Sequence, residues 1–199
     1  MAGTGSFPDW NLLYKNEKVV NMPWYNENLD FDLEEEITQR KIVSGKFLDL
    51  GTGPGTQAIQ LSKLGFVVTA SDLSEHAIEK ARNLSGNVNF IVDDILNSKL
   101  KENEFDYVFD RGCFHVLSVN DRKKYIMKIK NIIKNEGILF LKCFSDKEPR
   151  KEGPHRFSED EVREVFGSDF EIQSIKETVY QGTLDPLPRA LFVVMKKLQ

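Results

Sequence analysis

The chain has 199 residues, 40% of them apolar and 29% charged, with two cysteines and a formal net charge of −4. That length suits one domain with a sizeable core, and Cys113 and Cys143, far apart and without CxxC spacing, exclude a disulfide-stapled scaffold and supply no zinc set. The acidic balance argues against a nucleic-acid partner held by a broadly basic face, and no apolar run approaches bilayer length, so no membrane partner is expected.

The chain opens with MAGTGSFPDWNLLYKNEK, which lacks a basic region followed by an apolar stretch, so a cytoplasmic protein is expected. Residues 1–45 carry Trp10, Tyr14, Trp24 and Tyr25 and an acidic helical stretch, DLEEEITQRK, and read as a cap on the domain. From Phe47 onward, short apolar runs alternate with stretches of helical spacing. The runs are FLDL at 47–50, FVVTAS at 66–71, VNFIV at 88–92, FDYVF at 105–109 and GILFLKCF at 137–144. The helical stretches are TQAIQLSKL at 56–64, SEHAIEKARNL at 74–84 with Ser74 as N-cap, and DRKKYIMKIKNII at 121–133. Strand, helix, strand, repeated, predicts βαβ units and a mostly parallel sheet with both faces covered.

After a polar, irregular stretch beginning at Ser145, SEDEVREVF at 158–166 predicts a helix with a capping box from Ser158 to Glu161. FEIQSIKETVYQ and RALFVVMKK, joined by GTLDPLP, predict an antiparallel pair at the sheet edge. The whole chain, 1–199, reads as a single domain: a cap over 1–45, a ligand-binding core over 46–145, and a substrate loop with the last strands over 146–199.

Ligands of open α/β sheets bind beyond the carboxyl ends of the strands. LDLGTGPG puts Gly51, Gly53 and Gly55 on that rim, but a GxGxxG fingerprint fails because its third glycine falls on Thr56. Acids end the strands instead: Asp49 stands before the glycines, Asp72 closes the second run, Asp94 follows the third and Asp110 the fourth. Four acids would repel a pyrophosphate. They suit a ligand that carries a ribose and positive charge, with Asp72 placed to accept hydrogen bonds from ribose hydroxyls. S-adenosylmethionine, with its sulfonium and ammonium groups, has that chemistry.

LDLGTGPG, followed by ASDLS, VDDIL and FDYVFDRGCFHVL, resembles the successive motifs of class I S-adenosylmethionine-dependent methyltransferases over roughly residues 45 to 145. The resemblance implies a Rossmann-like, doubly wound, seven-stranded sheet, mostly parallel with an antiparallel last strand and helices on both faces. It implies that Asp49, Gly51, Thr52, Gly53 and Gly55 line the methionine end of the cofactor and that Asp72, with Leu73 after it, binds the ribose. Asp94 would meet the adenine amino group with Ile95 beside the ring, and Asp110 would face the methionine moiety and stand as a candidate catalytic group. MPWYNENLD at 22–30 shows a shorter similarity to thiopurine methyltransferase-like and tellurite-resistance-like members, which makes Trp24 a lid residue.

Methyl transfer from a sulfonium needs positioning and exclusion of water, and it needs a base only when the acceptor is protonated. His115 is the candidate base, with a role as a pocket wall as its alternative; Cys113 reads as a packed thiol. His155 and Arg156, in the polar stretch, could bind an acidic acceptor. DRGCFHVL departs from the Asn/Asp-Pro-Pro-aromatic signature of enzymes that methylate adenine or glutamine amides. A small-molecule acceptor at sulfur, nitrogen or oxygen is expected, with a protein lysine or a non-catalytic cofactor-binding module as the alternatives.

Overall fold

The structure, a computed structural model, describes residues 9–84 and 86–198. Helices α1 (Trp10–Asn16) and α2 (Phe31–Gln39) precede the alternating part, β1 (Lys46–Leu50), α3 (Thr56–Lys63), β2 (Val67–Asp72), α4 (Glu75–Arg82), β3 (Val88–Val92), β4 (Phe105–Arg111), α5 (Val119–Ile132) and β5 (Ile133–Ser145). The chain ends with β6 (Arg156–Phe157), α6 (Glu159–Phe166), β7 (Phe170–Val179) and β8 (Arg189–Lys197). Among the described residues no helix is long and apolar enough to cross a membrane.

Seven strands run in the order β3-β2-β1-β4-β5-β8-β7. The first five are mutually parallel, and β8 is antiparallel to both β5 and β7. The sheet has eight strands where seven are expected, because the two residues of β6 pair in parallel with Phe144 and Ser145 at the end of β5. α1 is also unanticipated: a seven-residue helix is too short for a periodic signal, and Asp9 caps it by accepting from the Leu12 amide.

Alternation along the strands builds two apolar layers. On one face Leu48, Val108, Leu139 and Leu141 pack against Tyr125 and Ile129 of α5 and Val162 and Phe166 of α6. On the other, Phe47, Phe109, Phe140 and Phe192 pack against Leu33 of α2, Ala58 and Leu61 of α3 and Ile78 of α4. Each fully buried side chain of this size contributes roughly 1.5–3 kcal/mol against exposure. Ser74 and Ser158 cap α4 and α6 by accepting from the Ala77 and Glu161 amides. The Ser158 box is made from one side only, since the Glu161 carboxylate turns to His155 and Arg122.

Candidate active site

The strand order reverses between β1 and β4, and beyond their carboxyl ends lies a cavity of about 770 Å³. One half stands over β1, β2 and β3 and carries Asp49, Asp72, Asp93 and Asp94; the other stands over β4, β5 and the β7–β8 connection and carries His115, Phe144 and Tyr180. The cover is made by Trp10, Tyr14, Met22 and Trp24 from the N-terminal segment, with Arg150 and Pro154 from the loop after β5.

The first βα turn is shaped by its acids. Asp49 is buried, and its Oδ2 accepts from Thr52 Oγ1 at 2.5 Å and from the Ala58 amide at 3.1 Å, which ties β1 to the start of α3. Its residue also lines the cavity, and burial raises its carboxyl to about 6. Asp72 accepts from the Gly53 amide and the Ser74 amide, each at 2.8 Å, so it clamps the glycine loop from the end of β2. Burial raises its pKa against those two bonds. Gly51, Thr52 and Gly53 line the cavity, as do Asp72 and the half-exposed Leu73. Gly53 has φ 53°, and a Cβ there would lie 2.5 Å from Tyr14 Oη. Gly55 does not line the cavity: at φ 83° it starts α3, and a Cβ would strike Phe90 and Ala81. Its expected place beside a ligand is corrected to one in helix-to-sheet packing.

Asp94 and Ile95 line the cavity after β3, but both Asp94 oxygens are used locally, by the Leu96 amide at 2.9 Å and Asn97 Nδ2 at 2.6 Å. Asp93, beside it, is half-buried and also lines the cavity. One oxygen accepts from the Lys99 amide, and the other is buried on the same wall without a hydrogen-bond partner among the described residues.

Asp110 is the clearest correction. Its carboxylate is turned away from the cavity and fully buried, accepting from the Gly112, Cys113 and Phe114 amides and from Tyr125 Oη at 2.5 Å. Burial raises it to about 6. It shapes the turn that presents Cys113 and His115, and it touches nothing in the cavity.

His115 lines the cavity, but not as a base. The Phe144 amide donates to its Nδ1 at 3.2 Å, which leaves the ring proton on Nε2. Burial, with Arg111 and His155 nearby, pushes its pKa down to about 3. A neutral ring with Nε2–H is a hydrogen-bond donor, so the base assignment gives way to that of a wall. Burial also raises the Cys113 thiol well above its ordinary value and the Tyr180 phenol to about 12, which keeps both protonated. His155 pairs with Glu161, and Arg156 folds back on the Arg150 and Glu152 carbonyls, so neither reaches the cavity.

Trp24 lines the cavity, packed edge-on to Trp10 with ring centroids 5.8 Å apart, and its Nε1 donates to Tyr14 Oη at 3.1 Å. A buried ion network beneath it holds the cover down. Lys142 Nζ, from the carboxyl-terminal part of β5, lies 2.8 and 2.7 Å from the two Asp30 oxygens and 2.8 Å from Asp32. Arg111 pairs with Asp30 at 2.9 Å, donates to the Trp24 carbonyl at 3.1 Å and to the Gln181 carbonyl, and stacks 4.4 Å over the Tyr180 ring. Arg111, Lys142 and Asp30 are not among the residues expected from sequence. A signal existed: a lysine inside GILFLKCF, buried on both faces, requires buried carboxylates.

A family model described as "Methyltransferase domain" matches residues 47–137. The uncharacterized methyltransferase C750.03c of Schizosaccharomyces pombe is 35% identical over 103 residues, which cover 50% of this chain and 71% of that protein. The chain belongs to the class I S-adenosylmethionine-dependent methyltransferases. The methyltransferase is also similar to human EEF1A lysine methyltransferase 2, at 29% identity over 160 residues covering 70% of this chain and 68% of the relative. Its fold matches that of Burkholderia thailandensis 1,6-didemethyltoxoflavin-N1-methyltransferase, a structure with bound 1,6-didemethyltoxoflavin and S-adenosylhomocysteine. That match has a TM-score of 0.70 and 18% identity, over 94% of this chain and 81% of that one.

The residues present fit an S-adenosylmethionine cofactor. Ser71 and Asp93 line the cavity, and each holds a buried oxygen with no partner among the described residues. Gly53 leaves open the space that a side chain would fill. The acids gather on one half of the cavity, where a cationic ligand gains and a polyanion loses.

Proposed function

We propose that this methyltransferase acts on a small, flat acceptor that brings its own lone pair at sulfur, nitrogen or oxygen. The observation that carries this reading is the wall over β4 and β5. His115, Phe144 and Tyr180 pack there with ring centroids 5.1 to 5.9 Å apart, beside groups that hold their protons. The carboxylates of the cavity lie on the opposite half or, as with Glu17 and Glu152, are exposed at its rim.

Bound S-adenosylmethionine would supply an electrophilic methyl carbon, which an acceptor lone pair would take in line as the C–S bond breaks and S-adenosylhomocysteine leaves as a neutral thioether. The residues then have separable roles. Asp72 takes the ribose hydroxyls, the Asp93–Asp94 pair with Ile95 takes the adenine end, and Asp49, from beneath the glycine loop, offers a carboxylate to the ammonium. Gly51, Thr52 and Gly53 allow close approach, and Leu73 flanks the ribose. Trp24 covers the site, held by Tyr14 and Arg111. The acceptor rests against the aromatic wall, where exclusion of water and alignment do most of the work.

A lysine ammonium must lose a proton before it can attack, and among the described residues no group on the acceptor half is placed to remove it. That weighs against a protein lysine, although one relative carries the name of a lysine methyltransferase. The test is a labelled-methyl screen of aromatic thiols, nitrogen heterocycles and N-hydroxy heterocycles beside lysine peptides, with S-adenosylhomocysteine calorimetry to establish cofactor binding. Turnover of a heterocycle or aryl thiol supports the proposal; exclusive labelling of lysine overturns it. Tight cofactor binding with no labelling in any fraction favours the non-catalytic alternative.

A further inference from the structure

Tyr14 belongs to α1, the helix that sequence periodicity does not announce, and it stands over the glycine loop. Its ring is buried against Met22 and Ala77, and its oxygen lies so close to Gly53 that a Cβ there would come within 2.5 Å. Among the described residues its one hydrogen-bond partner is the Trp24 indole, which donates, so the hydroxyl retains its own proton to give.

Several backbone and guanidinium donors around this end of the cavity are already engaged. The Gly53 amide is spent on Asp72, the Thr52 amide on the Ser71 carbonyl and the Gly55 amide on the Thr52 carbonyl. The guanidinium of Arg111 serves Asp30 and two carbonyls, and that of Arg150 serves Glu148 and the Pro186 carbonyl. An amino-acid ligand end carries an ammonium and a carboxylate together. Asp49 meets the first need; among the described residues the Ser71 hydroxyl at the end of β2 is also unpartnered, and Tyr14 is the donor with an unspent proton that stands over the glycine loop from the cover.

We propose that Tyr14 is a cofactor-binding residue, its hydroxyl donating to the carboxylate at the amino-acid end of S-adenosylmethionine. The Trp24 indole, donating to the same oxygen, polarises the hydroxyl and makes it a better donor. The N-terminal cover is thus part of the cofactor site as well as its roof. This inference rests on the cofactor reading above.

The test is calorimetry on the full chain with S-adenosylhomocysteine and with its decarboxylated analogue, which keeps the adenosine, thioether and amine. Tyr14→Phe is expected to weaken S-adenosylhomocysteine roughly 10- to 100-fold, the scale for a hydrogen bond to a charged group, and to leave the analogue within about twofold. Trp24→Phe, a second variant should Tyr14→Phe fold poorly, is expected to show a smaller loss confined to S-adenosylhomocysteine. An equal loss on both ligands, or none on either, overturns the proposal. Failure of the unsubstituted protein to bind either ligand would overturn the cofactor reading itself, a separate result from any behaviour of Tyr14.

Discussion

Replacing Lys142 by Met tests the ion network that anchors the cover. The ammonium lies 2.7–2.8 Å from three carboxylate oxygens of Asp30 and Asp32, which are essentially without solvent contact. Removing one partner of such a pair costs about 3–5 kcal/mol, because a buried charge is left uncompensated. Here the remaining partners soften the loss: Arg111 stays on Asp30 at 2.9 Å, and Lys176 and Thr178 stay on Asp32 at 3.1 and 2.8 Å. The expected cost is therefore at the lower end, about 3 kcal/mol, or roughly 6–12 °C in Tm for a chain of this size. Urea and thermal unfolding measure it. The double variant K142M/D32N, which neutralises the carboxylate left without its lysine while Asp30 keeps Arg111 and Lys176 keeps Glu35, should recover a substantial part of the loss. A cost below about 1 kcal/mol, or a double variant less stable than Lys142→Met alone, would refute the reasoning.

Three further outcomes are expected. Asp72→Ala should weaken S-adenosylhomocysteine binding by roughly 1–3 kcal/mol in calorimetry, through lost hydrogen bonds to the ribose and a loosened Gly53; unchanged affinity would move the ribose site elsewhere. Asp49 titrates at about 6 in the free protein, and a nearby ammonium favours its ionised form, so binding releases a proton. Affinity should be level above pH 6 and fall as pH drops below it, and Asp49→Asn should bind more weakly at pH 7.5 with a shallower dependence; an affinity that is flat from pH 5 to 8 would exclude the contact. Since His115 is held neutral with a pKa near 3, the kcat profile should show no break near 6.5 that disappears in His115→Gln; such a break would restore the base role.

The strands and helices of the alternating core were legible because each apolar run is bounded by turn residues and the central ones are buried on both faces, although β3 at the sheet edge is only half-buried. The gathering of acids was legible for a related reason: Asp49 lies near the end of β1, Asp72 ends β2 and Asp94 follows β3, so topology alone brings them to one rim. Topology does not say which way a carboxylate turns. Asp110 turns inward because Tyr125, on the next helix, donates to it along with three amides of its own turn. The pairs that position the cover were out of reach for another reason. Arg111 and Asp30 are 81 residues apart and Lys142 and Asp30 are 112 apart, and no local pattern joins them. Gly55 shows the limit in miniature: its spacing matches that of its neighbours, but its reason for being glycine is Phe90.

The central claim is that the wall of His115, Phe144 and Tyr180 receives a flat acceptor with its own lone pair. Its most direct measurement is the fate of the methyl label when the purified chain and labelled S-adenosylmethionine are added to a protein-depleted metabolite extract and, separately, to the precipitated protein fraction. The account predicts label in small, organic-extractable heteroaromatic or thiol products and none in protein. Label confined to the protein fraction and released on hydrolysis as methyl-lysine would contradict it.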